Sequence, residues 1–87
     1  MTRDQILERI RRVARERLEV FTWFELDTHL LRDLQLDSLK QLSFVVELEN
    51  EFEICFEPED EDALETMANV VDLVERRLGA GREGMDG

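Results

Sequence analysis

Several residue types on which enzymes and secreted proteins depend are scarce in this 87-residue chain. Its single cysteine, Cys55, excludes a disulfide within the chain, and the apolar neighbours Ile54 and Phe56 predict a buried thiol that behaves as a small hydrophobic group. The single histidine, His29, excludes a metal site built on two histidines, so we expect it to make a local hydrogen bond in a loop. No glycine precedes Gly79, which excludes a glycine-rich loop that cradles phosphate.

Long apolar runs are also missing. No stretch approaches the roughly 20 residues of a membrane-spanning helix, and the arginine-rich N-terminal segment lacks the apolar core of a signal peptide. We therefore expect a cytoplasmic protein. The length allows one domain with a small core and no enclosed active-site cavity. No acid–base constellation or cluster of metal ligands is visible, which argues against an enzyme.

Acidic residues dominate the charge. There are 22 acidic and 11 basic residues, for a net charge of -11. Nucleic acids and anionic membranes would be repelled, whereas soluble partners with basic surfaces would be attracted. The charge is also uneven, at +2 over residues 1–19 and -13 over residues 20–87.

The N-terminal segment has the pattern of an amphipathic helix. Apolar residues recur at three- and four-residue steps and predict one buried face. They are Ile6, Leu7, Ile10, Val13, Ala14 and Leu18. Thr2 and Gln5 have the form of a capping box, with Thr2 as the N-cap. The arginines between residues 9 and 17 fall mainly on the other faces, so we expect them to be solvated.

Residues 20–37 show no sustained period and predict a long loop that folds its apolar side chains back over the helices. Loops of this length in a compact domain are usually functional. Trp23 is expected to contribute packing rather than recognition.

A second helix is predicted from Ser38 to about Phe52, and its apolar residues form two faces. One face consists of Phe44, Val45, Leu48 and Phe52. The other consists of Leu39, Leu42 and Val46. Because a small bundle needs one broad apolar face for its core, the second face is a candidate interaction surface.

An acidic turn, Glu57–Asp62, follows, and its spacing does not match a calcium-binding loop. Pro58 suits the first position of a short third helix. A last helix is predicted from Met67 to Leu78, with Thr66 as the N-cap.

Gly79 is expected to end the last helix, and residues 79–87 are expected to form a flexible tail after a domain of residues 1–78. The patterns together predict an all-α fold, a small four-helix bundle with a long first loop and a short third helix.

Ser38 allows two interpretations. Serine is a preferred N-cap and Gln41 completes a capping-box pattern, so Ser38 could simply begin the second helix. Alternatively, the loop-to-helix junction exposes its hydroxyl, and the free N–H groups and dipole of a helix N-terminus would favour an anionic group there. No histidine or lysine is placed by the sequence to activate this hydroxyl.

The wider sequence resembles the acyl carrier protein family. Leu34-Gln35-Leu36-Asp37-Ser38-Leu39 occupies the place where that family has leucine, glycine, a variable residue and Asp-Ser-Leu. Glu47-Leu48-Glu49-Asn50-Glu51-Phe52 looks like the end of the family's second helix. Thr66-Met67-Ala68-Asn69-Val70-Val71 looks like the start of its last helix. The likeness covers about residues 2–78.

This resemblance implies a site and partners. Ser38 would carry 4'-phosphopantetheine, delivered from coenzyme A by a phosphopantetheinyl transferase, and Asp37 would help that enzyme to recognise the site. Acyl-loading and acyl-processing enzymes with basic surfaces would bind the monomer along its second and third helices. The residues at those places are Leu39, Leu42, Val46, Glu49, Glu59, Asp60 and Asp62.

Three residues depart from the family pattern. Gln35 replaces the usual glycine, so we expect the loop to bend differently there. Lys40 and Ser43 stand where acids are common, and they remove negative charge from the partner face. These departures favour a specialised pathway, polyketide or similar, over housekeeping fatty-acid synthesis. An aminoacyl or peptidyl carrier remains an alternative, as does a helical adaptor that docks through Leu39, Leu42 and Val46.

Overall fold

A computed structural model describes the backbone of residues 1–86 and the side chains of residues 1–79. Four helices follow one another in the chain, and they confirm the predicted all-α fold. They are α1 (Arg3–Leu18), α2 (Ser38–Phe52), α3 (Pro58–Asp62) and α4 (Met67–Asp86). Across the described backbone the only β-type pairing is an isolated antiparallel bridge between His29 and Thr66. No helix in that part of the chain is long and apolar enough to cross a membrane.

Helix α1 begins at the predicted capping box. The Gln5 N–H donates to Thr2 Oγ1 at 3.2 Å, and the Thr2 N–H donates to Gln5 Oε1 at 2.8 Å. The two bonds satisfy donors that a helix start leaves free. The helix packs its apolar face against α2 and α4.

The core lies between these three helices and the loop that follows α1. Its helical members include all the residues predicted for the first face of α2. The loop contributes Phe24, Leu30 and Leu36, which are buried, as predicted for a loop folded back over the helices. The loop's Phe21, Trp23 and Leu31 remain exposed, however, so the predicted folding of its apolar side chains over the helices is confirmed only in part. Trp23 packs against the Arg11 guanidinium at the surface.

Arg11 explains the position of that loop. The sequence predicted a solvated side chain, but only 13% of the Arg11 side chain is exposed. Its Nε donates to the Phe24 carbonyl at 2.9 Å, and its guanidinium pairs with Glu8 and Glu25. One arginine thus fixes the first part of the loop to α1, a contact that helical periodicity does not reveal.

The loop is also tied to the start of α4. The Leu30 N–H donates to the Glu65 carbonyl at 2.8 Å, and the Met67 N–H donates to the Thr28 carbonyl at 2.9 Å. The predicted local bond of His29 is present, since its Nδ1 accepts from the Arg32 N–H at 3.0 Å. These bonds supply backbone partners for a long segment that has no regular structure of its own.

Two predictions near the helix ends are wrong. Cys55 is exposed, because the extended segment after α2 alternates its side chains and turns the half-buried Ile54 and Phe56 toward the core instead. Helix α4 continues past Gly79 to Asp86. Glycine ends a helix when it adopts a positive φ, and Gly79 does not do so. The predicted flexibility of residues 79–87 falls mostly on residues whose side chains lie outside the described part.

Candidate functional site

Ser38 is the first residue of α2, and the residue before it caps the helix. Asp37 is the N-cap, and its Oδ1 accepts from the Lys40 N–H at 3.0 Å. The predicted capping box of Ser38 with Gln41 is therefore wrong. Gln41 instead donates from Nε2 to the Leu36 carbonyl at 2.8 Å. Aspartate and serine are both good caps, and the aspartate takes the position here.

This register leaves the Ser38 hydroxyl free. The Ser38 side chain is exposed, and no side chain or backbone group in the described part hydrogen-bonds to it. The N–H groups of Ser38 and Leu39 belong to the first helical turn, where no earlier carbonyl is available within the helix. An anion on the hydroxyl would lie beside these donors and the positive end of the helix dipole. The geometry fits a phosphodiester.

The loop bends shortly before Ser38. Leu36 is buried and its N–H donates to the Leu30 carbonyl at 3.0 Å, which anchors the chain two residues before the serine. Gln35 has a φ of 57°, in the left-handed region. Glycine adopts this conformation without the steric cost that a side chain brings. The glutamine therefore adopts the bend that glycine favours, which goes against the expectation that the loop would bend differently here.

Two substitutions at Gln35 test this junction. We expect Gln35→Val to lower the free energy of unfolding by about 1 kcal/mol, because a β-branched side chain is poorly accommodated at positive φ. Gln35→Gly should change it by less than about 0.5 kcal/mol, since relief of strain is offset by greater freedom of the unfolded chain. Urea denaturation measures both. Equal effects would mean that the left-handed bend is not imposed on the folded chain.

A shallow cavity of about 220 Å³ opens beside Ser38 between α2 and α3. Its wall consists of apolar side chains of α2 and the α3–α4 connection, two acids of α3 and two polar residues of α2. The lining residues are Ser38, Gln41, Leu42, Val45, Glu61, Asp62 and Leu64. Glu61 was not foreseen as a site residue, because only the packing of α3 against α2 brings it near the serine.

The seven predicted partner residues divide into two groups. The apolar residues Leu39, Leu42 and Val46 are exposed on one side of α2, as the two-face pattern predicted. The acids Glu59 and Asp62 are also exposed.

The other two acids, Glu49 and Asp60, form contacts within the chain. Glu49 Oε2 accepts from the Phe56 N–H at 2.8 Å, which holds the segment after α2. The Asp60 side chain is only 11% exposed and pairs with Arg77 of α4. These contacts join residues that are far apart in sequence, so no local pattern could have indicated them.

Asp60 shows how the short α3 is held. Burial raises the pKa of its carboxyl group, but the Glu57 N–H at 2.9 Å and the Arg77 guanidinium lower the pKa by more. The net result is a pKa below the ordinary value of 3.8. The ionised form therefore fastens α3 to α4.

We expect Asp60→Asn to lower the free energy of unfolding by about 1 kcal/mol at neutral pH, because it removes a charged hydrogen bond. The folded-state pKa is depressed, so the stabilisation is complete above the unfolded-state value and disappears as pH falls through the folded-state value. The difference between wild type and variant should therefore be constant near neutral pH and shrink below about pH 4. Denaturation at a series of pH values measures it. A difference that persists unchanged in acid would contradict this role.

Comparison with known proteins identifies the family. Residues 4–76 match the family model described as a phosphopantetheine attachment site. The chain is 33% identical over 79 residues to an acyl carrier protein of Exiguobacterium sibiricum, covering 90% of this chain and all of the relative. The chain belongs to the acyl carrier protein family. Over 44 residues it is also 50% identical to an acyl carrier protein homolog of Mycoplasma genitalium, covering 51% and 49% of the two chains.

The solved structures agree on the fold of this carrier. A crystal structure of an acyl carrier protein from Thermotoga maritima superposes with a TM-score of 0.81 and 19% identity, covering 90% of this chain and 92% of the other. Members of the family carry covalently attached 4'-phosphopantetheine and bring acyl groups to other enzymes. The described residues contain no cluster of side chains suited to a metal ion.

Proposed function

We propose that Ser38 is the attachment point of the 4'-phosphopantetheine group and that the chain carries acyl intermediates as thioesters for a specialised biosynthetic pathway. One observation supports the assignment most strongly. Asp37 caps α2, so the Ser38 hydroxyl lies exposed at the helix N-terminus, and no group of the described residues hydrogen-bonds to it.

The attached group supplies a thiol, to which an acyl group binds as a thioester. This chain's residues position and present it. A separate transferase forms the bond from the Ser38 oxygen to phosphorus while the pyrophosphate bond of coenzyme A breaks. The transferase also accepts the serine proton, so the step needs no base from this chain. Asp37 stays oriented by its bond to the Lys40 N–H.

Partner enzymes are proposed to bind the monomer on one surface. The exposed Leu39, Leu42 and Val46 give an apolar strip beside Ser38. Asp62 of α3 lines the same cavity as Leu42, and Glu59 is a further exposed acid of α3. Apolar contacts supply binding energy and exposed charges mainly set the association rate.

Lys40 and Ser43 support the choice of a specialised pathway. Both are exposed on α2 close to the attachment point. Neither adds negative charge where a strongly basic enzyme surface would bind, so this carrier should suit partners with fewer basic residues at this place. We infer a polyketide or fatty-acid-like pathway with dedicated enzymes.

A count of thiols tests the proposed function sharply. Cys55 is the only cysteine and is exposed, so it would react in any thiol assay. A Cys55→Ser chain has no thiol of its own. After incubation with coenzyme A, a broad-specificity transferase and desalting, it should contain one thiol per chain. A chain that still has none would contradict the proposal and favour an adaptor that docks through Leu39, Leu42 and Val46.

A further inference from the structure

The outer side of α1 has a groove that the carrier site does not use. It measures about 700 Å³, extends along α1 from Met1 to Arg15, and is closed on one side by Trp23. Four arginines and two acids line it, so its local charge is positive in a chain of net charge -11. The four arginines are Arg9, Arg11, Arg12 and Arg15, and the acids are Asp4 and Glu8.

Trp23 is an exposed side chain that is held in place. It is 69% exposed, the Arg11 guanidinium stacks 3.8 Å from the ring centroid, and the indole Nε1–H donates to Glu25 Oε2 at 3.1 Å. Because Arg11 holds one face of the ring and Glu25 holds its edge, the ring loses little conformational freedom when a partner covers it. Tryptophan and arginine are also the residues on which protein interfaces most depend.

Ion pairs within the described part of the chain offset most of the arginine charge beside the groove, and Arg15 is the exception. Glu51 Oε atoms lie 3.5 Å from Arg9, 3.4 Å from Arg12 and 3.5 Å from Arg17. Arg17 also reaches Glu47 at 3.2 Å, and Arg11 pairs with Glu8 and Glu25. Arg15 is exposed and takes part in none of the ion pairs of the described residues.

We propose that this groove binds an acidic segment of a partner protein, with an apolar side chain of that segment covering Trp23. The charge of the groove is complementary to carboxylates and opposite to that of the rest of the chain. An anionic membrane is the weaker fit, because it would approach as an extended surface and repel the remaining residues, whose net charge is -13.

The groove and the carrier site can be occupied at once. Arg9 and Arg12 meet α2 at Glu51, near its C-terminal end, whereas Ser38 begins the helix. The thirteen helical steps from Ser38 to Glu51 span roughly 20 Å. A partner held in the α1 groove would leave Ser38 accessible, so the inference does not depend on the attached group.

Trp23 supplies the readout for a test, because it is the only tryptophan. The probe is a short synthetic peptide rich in glutamate with leucine at its centre. At low salt it should produce a saturable change in Trp23 fluorescence, which weakens as added salt screens the charges. A matched peptide with glutamine for glutamate should produce none. Wild type and Ser38→Ala should bind the acidic peptide equally.

Two variants with the same charge change locate the binding. Arg15→Glu should weaken binding about tenfold, because one attraction becomes one repulsion. Arg32→Glu, at an exposed arginine outside the groove, should weaken it less than about twofold. Circular dichroism checks that both variants fold. No saturable change, equal losses in the two variants, or saturation by phosphatidylserine vesicles in place of the peptide would each overturn the proposal.

Discussion

A Ser38→Ala chain should take up no phosphopantetheine group when it is incubated with coenzyme A and a broad-specificity transferase, while the wild-type chain takes up one. Ser38 provides the exposed hydroxyl at the start of α2, and alanine has no oxygen to bond to phosphorus. The loss should be complete rather than partial. Intact-protein mass spectrometry measures the uptake directly.

Ser43 provides the matched control for this experiment. It is the only other serine and is also exposed on α2, but it lies within the helix instead of at its N-terminus. Ser43→Ala should be modified like wild type. Modification that persists in Ser38→Ala and disappears in Ser43→Ala would place the phosphopantetheine group on Ser43 and contradict its assignment to Ser38.

The Ser38→Ala variant also shows whether the serine is needed for modification or for capping α2. Because Asp37 caps α2, Ser38→Ala should change the free energy of unfolding by less than about 0.5 kcal/mol, whereas Asp37→Ala should lower it by about 1 kcal/mol. A loss of uptake in Ser38→Ala can therefore be attributed to the missing oxygen, since the fold remains intact.

The second large effect is expected inside the core. Phe44→Ala should lower the free energy of unfolding by about 3–5 kcal/mol, because it removes a buried aromatic ring and leaves a cavity. Phe44 is 1% exposed in the core between the helices. A small domain has only about 5–15 kcal/mol of stability in total, so the variant should be close to unfolding at ambient temperature.

Leu42→Ala is the control for that prediction, because Leu42 lies two residues earlier in α2 and is 51% exposed. It should change the stability by less than about 0.5 kcal/mol. Urea denaturation compares the two, and similar losses would contradict the assignment of one face to the core and the other to partners. Slower transferase modification of the folded Leu42→Ala chain would support the proposal that partner enzymes contact the face that contains Leu42.

The sequence predicts the helices well because their signal is local. Apolar spacing placed α1 and α2, and it assigned Phe44 to the core and Leu42 to the surface correctly. These assignments depend on helical geometry alone, which repeats every 3.6 residues. The Asp37-Ser38-Leu39 motif is also local, a short contiguous run at a helix start, and it was recognised through the family resemblance.

The cap of α2 shows where local reasoning reaches its limit. Asp37 and Ser38 are adjacent and both suit an N-cap, so the motif alone could not decide the register. The difference of one residue matters for function. With Asp37 as the cap, the serine hydroxyl is free.

Contacts between distant residues account for the other differences. Arg11 reaches across to the loop and stacks on Trp23, which makes this tryptophan part of an exposed groove. Asp60 pairs with Arg77 on another helix. Spacing along the chain carries no information about such pairs, because tertiary packing determines them.

The most direct test of the carrier role is the mass of the chain purified from its own cells while its pathway is active. Digestion should yield a peptide containing Ser38 that is heavier by a phosphopantetheine group, with an acyl group released from it by hydroxylamine. A Ser38 peptide that is always unmodified under those conditions would contradict the account.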